Sequence, residues 1–355
     1  MTQTTPKSGA AGSSTFSGSD SRRYNYFEPE GRRATVYEDV TVDVQPDPSR
    51  HLLQDWIISF ADGRPAFSEK STAVKCSDWH VFRAPDQEWE RTHYQRQSHI
   101  ENTIKMVVDN ARGAGAPGRF EKGWVSIIQD QLGALKHAEF GLGVALTKAQ
   151  RDGMTQMINN AILTNASYKL RLAQDITLYL GDIGLDIEID GDAGKRIWLE
   201  DEAWQGVRKA VEAILAATDH IEVYFAVNVV FEALVGELFR GGFIMRAGPA
   251  HNDYVTPSVI SAAESDYRRN LANTLTLLNM LTGDSQLGDA NKKIMMGWLK
   301  KYVPLCTEAA TQLKSVWGLQ SNGDLEFDSV FADAKGRFKD ILSEIEVSLP
   351  DGIAL

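Results

Sequence analysis

Apolar residues recur at intervals of three and four along most of the chain, the period of a helix face and not of a strand. The clearest run is 203–240, where Val207, Val211, Ile214, Thr218, Ile221, Phe225 and Val229 form a row that continues through Glu232, Gly236 and Phe239. The spacing predicts one long helix with an acid set into its buried face. A second helix, 256–281, carries Ile260, Ala263, Tyr267, Leu271, Thr274, Leu278 and Leu281 on its inward row. Thr256 reads as its N-cap and Pro257 as its first helical residue. Gly241-Gly242 and Gly248-Pro249 predict the turn between the two.

The same period predicts further helices at 51–61, 86–110, 120–146, 152–180, 289–316 and 328–349, with 289–316 kinked or divided near Pro304. Gly133, Gly141 and Gly143 lie inside a predicted helix, where they permit close approach of a neighbour. Gly181, Gly184, Gly191 and Gly194, set among five acids, predict a connector. No proline falls between Pro117 and Pro249, which suits uninterrupted helices. Four long helices between 120 and 281 imply an all-α protein with an antiparallel bundle at its centre and extra helices around it.

The N-terminal region reads differently. Residues 1–20 are poor in large apolar side chains and are expected to be a disordered tail. Residues 21–60 read as an extended arm, with Tyr24, Tyr26, Phe27, Tyr37, Trp56 and Phe60 among prolines and a partly alternating stretch from Val36 to Val44. So many aromatics need a surface to lie on, either the chain's own helices or another subunit. The helical domain then spans 61–355.

A net charge of -11 and a pI near 5.2 argue against nucleic acid or an anionic membrane as the partner. Cys76 and Cys306 stand alone, which supports neither a disulfide framework nor a thiolate zinc site. There is no apolar run near the N-terminus, and the most apolar stretch, 223–236, is interrupted by Asn228 and Glu232. A soluble cytoplasmic protein is expected.

A long four-helix pattern raises the question of a carboxylate-bridged di-iron site, which takes two Glu and two Glu-x-x-His motifs. One such motif is present, Glu90-Arg91-Thr92-His93, and it precedes the central helices. It reads more simply as a solvated or interface face. His137 with Glu139, and His220 with Glu222, are two apart and point to different sides of a helix. His51, His80, His99 and His251 are isolated. No nucleophile elbow, phosphate loop or dinucleotide fingerprint occurs, and Gly141-Leu142-Gly143 is better explained by packing.

The residues 266–270 resemble a known motif in altered form. Large subunits of bacterial multicomponent soluble di-iron monooxygenases carry a Glu before a turn and Asp-Glu-x-Arg-His on the next helix. Here Glu232 matches the first Glu, while the motif reads Asp266-Tyr267-Arg268-Arg269-Asn270, with Tyr and Asn at the ligand positions. Nothing in 165–169 supplies the other Glu-x-x-His. This pattern resembles the small, or beta, subunit of the hydroxylase component, nearest the propane monooxygenase type. Tyr26-Phe27-Glu28-Pro29, Tyr37-Glu38, and Trp79-x-x-Phe82-Arg83-x-Pro85 with Tyr94, Gln97 and Glu101 carry the same resemblance.

The resemblance implies a ferritin-like bundle with no catalytic, cofactor or metal residue in this chain. The alpha subunit would hold the two irons, in an alpha2beta2 core. A reductase with FAD and a 2Fe-2S cluster would bring electrons from NADH, and a coupling protein would complete the system. Glu232, buried without metal, then needs a cation, and Arg268 or Arg269 is expected to provide it. Two other readings are a self-sufficient di-iron oxidase using Glu90, His93, Glu139 and Glu232, and a helical scaffold outside the oxygenases.

Overall fold

The computed structural model describes residues 24, 26–29, 31–42, 44, 63, 68–320, 325–353 and 355; the expected tail 1–20 and helix 51–61 lie outside them. In chain order the main helices are α1 (Glu90–Gly113), α2 (Lys122–Ile127, Ile128–Leu132 and Gly133–Gln150 in one rod), α3 (Gln156–Ile183), α4 (Ala193–Glu200) and α5 (Glu202–Ala216). Then come α6 (His220–Phe225, Ala226–Gly236, Glu237–Phe239, Arg240–Ile244 and Met245–Ala247, again one rod), α7 (Val255–Thr282), α8 (Gly288–Gln312), α9 (Lys314–Trp317) and α10 (Phe327–Glu344). No strand occurs among the described residues.

Helix α6 is the axis. From His220 to Gly236 every residue but Glu222 is buried, which is why apolar residues occur on every side of this stretch instead of in one stripe, with His220, Asn228 and Glu232 set among them. Helices α2, α3 and α7 complete the central bundle with α6, while α8 and α10 cover its other side. No helix among the described residues is long and apolar enough to cross a membrane.

The row read as one helix over 203–240 is broken. Ala217, Thr218 and Asp219 leave the helix, and Thr218 is exposed, so it is not part of the buried face. The cause is Asp219, whose carboxylate accepts the N–H groups of Ile221 at 2.9 Å and Glu222 at 3.1 Å and so starts α6. At the other end, Gly241-Gly242 is no turn: α6 runs through it in π-helical form to Ile244 and on to Ala247, and the turn follows in the short 3-10 segment Gly248–His251. Gly242 is there for packing, since a Cβ would lie 2.5 Å from Val330 Cγ1 of α10.

Asp253, not Thr256, caps α7: it accepts the N–H groups of Val255 and Thr256, each at 2.9 Å, and the indole N–H of Trp124 at 2.8 Å. Helix α8 passes through Pro304 undivided, and the break comes at Leu313. The glycines of α2 act as expected. Gly133 lies against Gly194 of α4, Gly141 against Val211, and Gly143 against Leu170.

The stretch from Val36 is helical where alternation suggested an extended strand, with a π turn at Glu38–Val42. Thr35 and Glu38 form a reciprocal cap: the Thr35 N–H donates to Glu38 Oε2 at 2.9 Å, and the Glu38 N–H to Thr35 Oγ1 at 3.1 Å. The described part of the arm lies on its own chain. Tyr26 stacks on His80 with ring centroids 4.2 Å apart, and the Ala84 N–H donates to the Tyr37 hydroxyl at 3.1 Å. Glu38 takes both ends of the Arg32 guanidinium at 2.7 Å, which, against the cost of burial, holds its carboxyl down to about 2.

Candidate functional site

Five charged side chains meet at the centre of the bundle: Glu139 from α2, Lys169 from α3, Glu232 and Arg240 from α6, and Glu264 from α7. None is more than 9% exposed, and Glu139, Glu232 and Arg240 are fully buried. The Lys169 ammonium is 2.8 Å from Glu139 Oε2 and also donates to Glu232 Oε1. The Arg240 guanidinium donates to Glu139 Oε1 at 2.8 Å, to Glu232 Oε2, and through Nε to Glu264 Oε1 at 2.8 Å. Glu139 and Glu232 therefore each bridge the same two cations, one oxygen to each.

The π-helical run Ala226–Gly236 matters for this arrangement, because it re-aims side chains relative to a regular α-helix. Glu232 and Arg240 sit on either side of Gly236 in sequence. A Cβ on Gly236 would come within 2.7 Å of Glu232 Oε2 and 2.9 Å of Arg240 Nη1, so the pair closes over a position that has no side chain.

Burial would raise the Glu232 carboxyl, but the Arg240 and Lys169 charges outweigh it and hold the group down to about 2. At Glu264 burial outweighs the nearby Arg240 charge, and Glu232 and Glu237 add to it, raising its carboxyl. Burial would lower the Arg240 guanidinium, and the three carboxylates keep it firmly charged.

Iron does not fit these residues. The places between the bridging carboxylates are held by an ammonium and a guanidinium, and among the described residues no His, Cys, Asp or Glu group is arranged to hold a metal ion. At the altered motif, the Tyr267 hydroxyl donates to the Asn228 carbonyl at 3.3 Å. Asn165 donates to Asn228 Oδ1, and Asn228 to Thr274 Oγ1, each at 2.9 Å, so amides and hydroxyls link α3, α6 and α7. A cavity of about 10 Å³ lies between Lys169, Asn228, Tyr267 and Asn270.

The expectation that Arg268 or Arg269 neutralises Glu232 is wrong. Arg268 is exposed, while Arg269 is turned toward Asp86 at 3.1 Å and Glu88 at 3.4 Å. The cations are Arg240, which the reading placed at a helix end, and Lys169, which it passed over while searching 165–169 for ligands. Lysine one turn after Asn165, on a predicted core helix, was the available signal.

Glu90 is exposed. His93 is buried, not solvated, and bonds Glu88 at 3.5 Å and Ser167 at 2.9 Å. Neither shares a partner with Glu139 or Glu232, so the four residues of the oxidase reading are not one cluster. Asp266 of the altered motif does the joining nearby: it pairs with Arg96 of α1 at 2.6 Å and with Arg171 of α3.

A bundle of this form, with charged residues where a metalloprotein would place ligands, agrees with the comparisons. The chain belongs to the Methane/Phenol/Alkene Hydroxylase family, whose model matches residues 56–285. Within that family it is similar to hydroxylase small subunits, among them those of propane 2-monooxygenases. It is 41% identical over 343 residues to the propane 2-monooxygenase hydroxylase small subunit of Mycolicibacterium smegmatis, covering 96% of this chain and 93% of that one. The methane monooxygenase component A beta chain of Methylosinus trichosporium is 25% identical over 310 residues, 84% of this chain and 78% of its own. A structure of xenon-pressurised phenol hydroxylase from Pseudomonas sp. OX1 superposes with a TM-score of 0.78 at 17% identity, over 94% of this chain and all of the matched one, which establishes the shared ferritin-like fold.

Proposed function

We propose that this chain is the non-catalytic beta subunit of a propane-type di-iron monooxygenase hydroxylase. The observation that carries this reading is the cluster itself: Lys169 and Arg240 stand between Glu139 and Glu232, and among the described residues no imidazole joins them. The alpha subunit holds the irons and the substrate cavity, and pairs with this chain in an alpha2beta2 core. Electrons come from NADH through a reductase carrying FAD and a 2Fe-2S cluster, with a coupling protein, in the cytoplasm. This chain supplies architecture.

The test is co-expression with the large hydroxylase chain of a propane-type system. Iron is expected in the complex and absent from this chain purified alone, and NADH-dependent propane oxidation is expected only when all components are mixed. Stoichiometric iron in the isolated chain would overturn the reading.

A further inference from the structure

Helices α1 and α3 run side by side in the same direction. His93 meets Ser167 at 2.9 Å near one end of the seam, and Arg112 meets Asp186 at 2.6 Å near the other. Both pairs are 74 residues apart in the chain, a constant offset that sets Glu101 of α1 opposite Asp175 of α3. Two carboxylates facing each other disfavour the doubly charged state, unless a cation or a proton comes between them.

The nearby cations are engaged elsewhere or shared. Arg96 of α1 is turned to Asp266 of α7 at 2.6 Å, and Lys105, one turn beyond Glu101, to Asp109 at 2.9 Å. Arg171 of α3 bonds Asp175 but also Asp266, so one guanidinium serves two acids. Glu101 is exposed, whereas Asp175 is only 7% exposed.

The charges acting on Asp175 are Arg171 on its own helix, Glu101 on α1 and Asp266 on α7. Burial is the largest influence. With the two acids behind it, burial outweighs Arg171 and lifts the Asp175 carboxyl to about 6. A carboxyl lifted above its ordinary 3.8 favours the closed seam when protonated, so the seam tightens as pH falls through 6 and loosens as pH rises. Little apolar packing resists the change, because α1 buries only His93, Gln97 and Val108.

We propose that Glu101 and Asp175 form a proton-binding pair that couples the docking of α1 to pH, one proton being taken up between the two helices as α1 closes on α3.

Hydrogen–deuterium exchange of the full chain, corrected for the intrinsic effect of pH on amide exchange, tests this. Protection of the α1 amides around Glu101 is expected to rise about tenfold from about pH 7.5 to about pH 5, as one carboxyl titrating at about 6 requires, with α6 unchanged. Asp175→Asn stands in for the protonated form and should keep the high protection throughout, without a pH response. It leaves His93 and its bond to Glu88 intact, so loss of the response in this variant assigns it to Asp175. Glu101→Gln should show a smaller response than wild type. The proposal fails if wild-type α1 is indifferent to acidification or loosens with it, or if Asp175→Asn responds as wild type does. Should Asp175→Asn not fold, a full wild-type response in Glu101→Gln overturns it equally.

Discussion

Glu232 is a carboxylate that the fold cannot leave unpaired. Replacing it by Gln strands half the charge of Lys169 and Arg240 in the core, and breaking a buried pair from one side costs about 3–5 kcal/mol. Urea unfolding at neutral pH measures that loss, and an effect below about 1 kcal/mol would show that the cluster relaxes around it. The pH dependence has a definite sign. The folded-state pKa is depressed from 4.5 to about 2, so the contribution of Glu232 is present above pH 4.5 and fades as pH falls toward 2. Glu232→Gln should therefore flatten the acid limb of the stability curve in that window. Gly236→Ala is the companion variant. Alanine normally favours a helix interior by roughly 1 kcal/mol over glycine. Here its Cβ would press on Glu232 and Arg240, and crowding of this kind costs about 1–3 kcal/mol, so net destabilisation is expected. A Gly236→Ala protein more stable than wild type would refute the close approach.

The elements differ in how far their sequences announce them. Helices α1, α3, α7 and α10 lie close to where periodicity puts them, because each has a polar side to set against its apolar row. Boundaries depended on caps that compete locally. Thr218-Asp219 continued the apolar spacing into α6, yet the shorter carboxylate reaching back to its own helix's N–H groups ended the row. Asp219 also accepts the Ala73 N–H at 2.7 Å, so Asp219→Ala is expected to cost about 1–2 kcal/mol and to loosen 71–75 together with the first turn of α6. Thermal unfolding and amide exchange at those residues check this; a variant with wild-type stability would mean that water replaces the cap. The reciprocal cap of Thr35 and Glu38 was legible and was masked by the alternation around it. The π-helical stretches of α6 were not legible, because nothing in a local window specifies them. They fall where α7, α8 and α10 pack on a buried helix, and with them went the position of Arg240, since Gly241-Gly242 looked like a stop. Tyr and Asn at positions 267 and 270 were readable, whereas the cations that pair with Glu232 were not, because they lie on α3 and at the supposed stop in α6.

Across the molecule, stability is distributed unevenly. Helix α6 is buried over most of its length, while α1, of twenty-four residues, buries only His93, Gln97 and Val108. Apolar packing therefore holds α6, and polar links hold α1: His93 to Ser167 at 2.9 Å, Arg96 to Asp266 at 2.6 Å, and Arg112 to Asp186 at 2.6 Å. Regions with few buried apolar contacts open locally, at a lower free energy than global unfolding. Amides of α1 are thus expected to exchange with solvent well before those of α6. Asp266 is the most buried of the links and also engages Arg171, so Asp266→Asn removes one strut from α1 and one from α3. In hydrogen–deuterium exchange of this variant, α1 should lose protection first and most, with α6 unchanged until global unfolding. If α1 and α6 instead exchange together, in wild type and in Asp266→Asn alike, the molecule is a single cooperative unit. The altered motif would then serve the core as a whole and not the attachment of its outermost long helix.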